Sequence, residues 1–325
     1  MLTQTLDVTE DIAGAARIQD CIIDKGAYEY NGANEIVPTV TTETKSDGTT
    51  YQLATYYVAQ NGEGVGNGQN PQNVACGTKF QKVLDAAGRY KYANPAHRVI
   101  VKLAVGFDRE GNILYKFQPE RTTLYEGNLT ENPRLWSIQV PRSVELWGGY
   151  RQTEAGATDK TKDEYYGFKT RDVLRDSTIL VGSTPEVSNV YHVVTFTDYV
   201  FDADGNPITK SDGTKELLSE KTGEMGDFSR AVLDGLYIEG GQANGTLPEN
   251  QIGGAAVVPG WAHVRNCILQ HNSADNAGGA LYLQDGAVVS GSILQNNTAN
   301  IGGAIAVKDY DDLSQVGEAS APRSP

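Results

Sequence analysis

The chain has 325 residues, 39% of them hydrophobic, which is enough for a sizeable core and excludes wholesale disorder. A formal net charge of −14 repels phosphate backbones and anionic headgroups, so nucleic acid is not an expected partner. No stretch approaches the ~20 apolar residues of a membrane span, and the opening "MLTQTLDVTEDIAG" lacks the basic and apolar regions of a signal peptide.

The 36 glycines, with abundant Asn, Thr and Tyr, favour strands and tight turns over helices, so the expected class is all-β. Cys21, Cys76 and Cys267 are odd in number and far apart. They are expected to be buried small side chains, not a disulfide framework or a metal pair.

In chain order, residues 1–30 hold the short apolar segment "RIQDCIIDKGAYEY", and residues 31–50 are Thr-rich, broken by Pro38 and turned at Asp47-Gly48. Residues 31–50 read as an extended linker. Residues 51–150 start with "YQLATYYVAQNGEG", a strand running into a Gly/Asn loop. One amphipathic helix follows: Phe80, Val83, Leu84 and Ala87 share a face and Thr78 is placed to cap it, which suits a lid over a β core. Six strand candidates come next, among them Arg98 to Gly106, Ser143 to Tyr150 and Ser177 to Ser183. Residues 151–230 carry long loops, and Asp204-Gly205 and Asp212-Gly213 signal a protruding hairpin.

From Ala231 to Lys308 the text repeats. Ile268-Leu269-Gln270 returns 25 positions later as Ile293-Leu294-Gln295, and Gly-Gly-Ala recurs at Gly253-Gly254, Gly278-Gly279 and Gly302-Gly303. Three short strands per unit predict a parallel solenoid in which each position stacks on its own copy ~4.8 Å away. Asn272 and Asn297 are placed for an amide ladder. Residues 309–325 form a polar tail that follows the last repeat without a cap, and both chain ends read as cut.

These residues resemble the right-handed parallel β-helix proteins of the bacterial surface, Bacteroidetes type. "YYVAQNGEGVGNG" and the helix look like the family's opening strand, loop and cap; "SVELWGGYRQTE", "TRDVLRDSTILVGS" and "VLDGLYIEGGQANG" look like successive coils. The Gly-Gly-Ala coils are similar to repeats of chlamydial polymorphic outer-membrane proteins. "IIDKGAYEY" looks like the way such domains end, so residues 1–30 are expected to be the remnant of an upstream β-helix. The resemblance covers roughly residues 56 to 307 and 17 to 30. It implies a right-handed β-helix with a capping helix, long inserted loops or a hairpin, and a place outside the cell or on its outer surface.

Two activities compete. A lyase or hydrolase working in the groove needs carboxylates and a cation; Asp275 and Asp285, with Asp234 and Glu239 on the preceding coil, are candidates, and calcium would be the cofactor. No pair stands at a defining spacing, His97, His192, His263 and His271 make no metal motif, and Pro207 breaks the calcium-loop pattern after Asp202. "GEGVGNG" lacks the Lys-Ser/Thr of a phosphate cradle. The leading expectation is therefore non-catalytic: adhesion or binding of a polysaccharide or cell-surface glycan, without cofactor or metal, with further coils of the same protein as another partner. Trp147, Tyr150, Tyr165, Tyr166 and Tyr282, with Asp275 and Asp285, are the candidate ligand-binding residues, because flat rings suit sugar faces.

Overall fold

The computed structural model describes residues 35–60, 66–71, 73–105, 116–119, 132–151, 168, 171–174 and 176–308, with the backbone of short strands between 18 and 23 and between 121 and 129. Strands dominate and lie in parallel sheets, with few helices. The first sheet contains Thr50–Ala59, Arg98–Val105, Val144–Arg151, Ala231–Asp234, Ala262–Arg265 and Val288–Ser290, all parallel neighbours. The second holds Thr178–Val181, Leu236–Glu239, Ile268–Gln270 and Ile293–Gln295. Gln242–Ala243, Ser273–Ala277 and Thr298–Ile301 make the third, and Ala256–Val258, Leu281–Leu283 and Ile305–Val307 the fourth.

From Ala231 onward the chain visits these four sheets in fixed rotation, so each strand pairs with the strand one circuit later. Alternation decides what faces inward: Val99, Val101 and Leu103, then Leu146, Leu233 and Val264, are fully buried in one continuous core. Leu236, Ile238, Leu269, Ala280 and Leu281 extend that core along the other sheets.

Corners repeat as strictly as strands. Between the first and second sheets one residue with positive φ makes the bend in each circuit: Gly235 at 68°, Asn266 at 53° and Gly291 at 57°. Asn tolerates this left-handed conformation better than most side chains, which is why it alternates with Gly there. At the next corner Asn272 donates its backbone N–H and its Nδ2 to Asn297 Oδ1, at 3.0 and 3.1 Å, while its own Oδ1 accepts from Gly241 N. The side-chain amide thus satisfies backbone groups that the bend removes from the ladder.

The two glycines of the first two Gly-Gly-Ala triplets serve different needs. Gly278 has φ of +66°, which L side chains rarely adopt. Gly279 is not among the positive-φ glycines, but a Cβ there would lie 2.1 Å from Gly303 O and 2.5 Å from Thr298 O in the next circuit. At Gly303, on the last described circuit, the nearest atom is 3.5 Å away.

The N-terminal end of the stack is closed. Thr39–Thr44 pairs antiparallel with Thr50–Ala59, so the stretch read as a linker contributes an edge strand and a turn at Asp47-Gly48. The helix Phe80–Ala93 buries Phe80, Val83, Leu84 and Ala87 against the core. Its Gln81 works as a strand surrogate: Nε2 donates to Gln139 O at 3.1 Å and Oε1 accepts Gln139 N at 2.9 Å. Thr78 is not the cap; a single 3-10 turn, Gly77–Lys79, precedes the helix, and Cys76 Sγ accepts the Thr78 N–H.

Residues 198–230 do not protrude as one hairpin. Three short segments zigzag through Tyr199, Ile208 and Glu216, turned by Asp202 and Asp212 side chains that accept backbone N–H groups, and dock on the helix. Val200, Leu218 and Met225 bury against Tyr92, and Arg89 donates to Phe201 O and Asp202 O. The Asp202 loop is thus a backbone-satisfying turn. A further correction concerns the cysteines: Cys76 is disulfide-bonded, with its partner outside the described residues, whereas Cys267 is free and 1% exposed. Cys267 conforms to the buried-side-chain expectation, and burial pushes its thiol pKa up to about 12.

Two outcomes follow. Gly279→Ala will lower unfolding free energy by about 3 kcal/mol while Gly303→Ala changes it by less than about 0.5 kcal/mol, read by urea denaturation; equal losses would mean that residue 303 is covered as residue 279 is. Non-reducing peptide mapping will find Cys76 in a disulfide-linked peptide, and Cys267 will alkylate only after unfolding.

Candidate functional site

The outer face of the first sheet gathers charged and aromatic side chains that are scattered in sequence. On Arg98–Val105 the alternation that buries Val99, Val101 and Leu103 turns Arg98 and Lys102 outward; on Val144–Arg151 it turns out Glu145 and Trp147. The register then aligns one column, Tyr57, Lys102, Trp147, Asp234, Arg265 and Ser290, across six strands.

A bulge modifies the pattern after Trp147. Gly149 has φ of +86°, and a Cβ on Gly148 would lie 2.6 Å from Gly235 O, so only glycine fits where this strand passes the next corner. The register shift brings Tyr150 opposite Ala104. Tyr150 is 3% exposed, stacked against Phe168 with ring centroids 5.7 Å apart, so it is not a free binding ring. Burial pushes its phenol pKa up to about 12.

Around Trp147 runs a chain of alternating charges. Arg98 forks onto Glu145 at 2.6 and 2.8 Å, and Trp147 Nε1 donates to the same carboxylate at 3.0 Å. Arg265 stands 3.8 Å from Glu145 and donates to Asp234 at 2.5 Å. Arg171 reaches in from the segment beyond the bulge, donating to Gly148 O, Asp234 O and Asp234 Oδ1 at 2.6–2.7 Å. The guanidinium groups of Arg98 and Arg171 lie 5.3 and 5.1 Å from the Trp147 ring centroid, so cations already occupy positions over the indole. Trp147 is the hub of this network, and its ring is committed to arginine.

Asp234 is 2% exposed. Burial by itself would raise its carboxyl pKa, but hydrogen bonds from Arg171, Asn266 and Arg265, and the Arg171 charge, hold it below the ordinary value. On the second sheet a parallel ladder runs Lys116, Glu239, Gln270, Gln295 through contacts of 2.7, 3.1 and 2.9 Å. Both carboxylates of the preceding circuit are therefore neutralised by fixed partners. A cleft of about 400 Å³ at the corner between these sheets is lined by Arg171, Val173, Leu174, Asn266, Cys267 and Ile268, among others.

The remaining candidates lie elsewhere. Asp275 is exposed on the third sheet; Asp285 is exposed in the turn between the fourth and first sheets; Tyr282 faces outward on the fourth, in register with Val257 and Ala306. The structure does not draw them into one constellation. Tyr165 and Tyr166 lie outside the described residues. Among the described residues no group of three or more His, Cys, Asp or Glu side chains is arranged to hold a metal ion. Sequence reasoning missed Arg98, Lys102, Glu145, Arg171 and Arg265; the alternation of "RVIVKLAVG" and "SVELWGG" carried a signal for the outward facing of three of them.

Asp234→Ala strands two arginines and Asn266, and will cost about 3–5 kcal/mol of stability at neutral pH. Because the folded pKa is depressed, the contribution is present above the unfolded value of ~3.9 and lost as pH falls through the folded one. The stability gap between wild type and Asp234→Asn will therefore be flat above about pH 5 and shrink in acid. Comparison with protein-family models, curated proteins and solved structures gives no match for this chain.

Proposed function

We propose that this chain is a right-handed parallel β-helix that serves as a non-catalytic binding surface on the outside of a bacterial cell, engaging glycans or mediating adhesion. The observation that carries this reading is the fixed rotation through four parallel sheets, which builds an extended stack and leaves the outer face of the first sheet lined by Tyr57, Lys102, Trp147 and Arg265. Such a face presents cationic and aromatic side chains over a length suited to a chain-like ligand. The likeness of "SVELWGGYRQTE" and the Gly-Gly-Ala repeats to bacterial surface β-helices supports the same assignment. A disulfide at Cys76 suits an oxidising, extracytoplasmic setting.

The carboxylates favour binding over turnover. Asp234 and Glu145 are locked by arginines, and Asp275 and Asp285 sit on separate elements, so among these described carboxylates no acid and base face one another across a common space. The test is a pull-down on a panel of immobilised neutral and acidic polysaccharides, run beside a product-release assay with calcium and with chelator. Retention on at least one glycan without product release is the expected result. Release of oligosaccharides would overturn the non-catalytic reading, and absence of retention on every glycan would overturn glycan binding.

A further inference from the structure

Within that proposed glycan surface, Lys102 stands apart from the other cations. Arg98 is paired with Glu145, Arg265 with Asp234 and Glu145, and Arg171 with Asp234, so three arginines share two carboxylates. Lys102 lies beside this chain in the same column as Trp147, yet it makes no hydrogen bond or ion pair to a carboxylate among the described residues. Its ammonium sits 5.7 Å from the Tyr57 ring centroid and 5.5 Å from that of Tyr150. The side chain is half-buried, and burial, together with the Arg171 and Arg98 charges, lowers its pKa; Glu43 acts in the opposite sense from the edge strand.

A partly desolvated ammonium that no carboxylate contacts among the described residues is costly unless something supplies such a contact. On a chain of net charge −14, this face runs against the average: four cations, Arg98, Lys102, Arg171 and Arg265, meet three acids, Glu145, Asp234 and Glu43, a local surplus of one. The surplus is small and falls at Lys102, since the column it shares with Trp147 carries Asp234 beside Arg265. That suits a ligand carrying one charge per unit more than one with dense charge.

We infer that the outer face of the first sheet binds an anionic polysaccharide bearing carboxylates on its sugars, and that Lys102, flanked by Tyr57 and Tyr150, takes the carboxylate. The tyrosine rings hold the ammonium by cation–π attraction in the free protein, and the incoming carboxylate supplies a charge-assisted hydrogen bond. Repulsion by the acidic remainder of the surface makes the interaction local, selecting chains that thread across the sheet past Lys102. This rests on the glycan-binding reading and adds the ligand class and the residue that selects it.

The experiment is titration of the full chain with polygalacturonate, a neutral galactan and a sulfated glycan, at low and at physiological salt, using wild type, Lys102→Met, Lys102→Arg and Lys82→Met. Lys82 is exposed on the helix and serves as the charge control. The expected result is that polygalacturonate binds more tightly than galactan, that added salt weakens it, and that Lys102→Met loses roughly tenfold in affinity with an unchanged melting temperature. Lys102→Arg and Lys82→Met keep most of it. Equal affinity for galactan and polygalacturonate, or indifference to Lys102→Met in a folded protein, overturns the inference while leaving glycan binding intact. Preference for the sulfated chain overturns the carboxylate assignment, and no binding to any of the three overturns the inference together with the reading it rests on.

Discussion

Everything in the regular part of this molecule answers to one constraint: a strand whose partner is the same stretch of chain one circuit later must tolerate its own copy directly above and below it. At a strand separation of ~4.8 Å, inward apolar side chains satisfy that condition by packing, and outward ones by alternating charge or amide pairing. Backbone groups at the corners have no such freedom, because bending takes them out of the ladder. The Asn272–Asn297 pair restores their hydrogen bonds, and the Gly278–Gly279 pair separates two needs that one residue type happens to meet, positive φ in the first case and close approach of the next circuit in the second. A repeat that keeps these residues at fixed spacing is the direct chemical record of the stack.

A stack has two ends, and unpaired strand edges are an aggregation hazard. The N-terminal end is closed by unrelated devices. An antiparallel hairpin covers the first sheet, and a helix covers the core, using the Gln81 amide to imitate the strand that Gln139 lacks. The excursion through residues 198–230 then clamps the helix from outside, through Arg89 and the cluster around Leu218. On the last described circuit, Val289, Leu294 and Ile305 are only partly buried although they continue the inward pattern of the circuit before them. Their exposure measures how much of each residue's burial comes from its neighbour in the stack.

The outer face of the first sheet shows what such register can build. Residues 98, 145, 171, 234 and 265 form one charge network only because parallel pairing places their strands in sequence and because the Gly148-Gly149 bulge lets Arg171 cross. Half-buried ion chains of this kind contribute little net stability, since desolvation offsets attraction, but they fix geometry and penalise loss of any one member. Here the network clamps Trp147, while among the described residues Lys102 contacts the Tyr57 and Tyr150 rings and no carboxylate.

The sequence by itself determined what is local or periodic: strand-rich character, the helix face at Phe80, Val83, Leu84 and Ala87, the 25-residue repeat that sets Ile268 beside Ile293, and the turns at Asp202 and Asp212. These follow from alternation, from the 3.6 period and from turn chemistry, each legible within a short window. Only the tertiary structure decided that Thr39–Thr44 is an edge strand, that Tyr150 is buried under Phe168, that Cys76 is disulfide-bonded, and that Asp275 and Asp285 part company while Trp147 meets three arginines. Those outcomes depend on register between strands separated by loops of irregular length. Shifting a parallel strand by one residue reverses every side chain it presents, and no local pattern in this chain states how far each loop displaces the next strand.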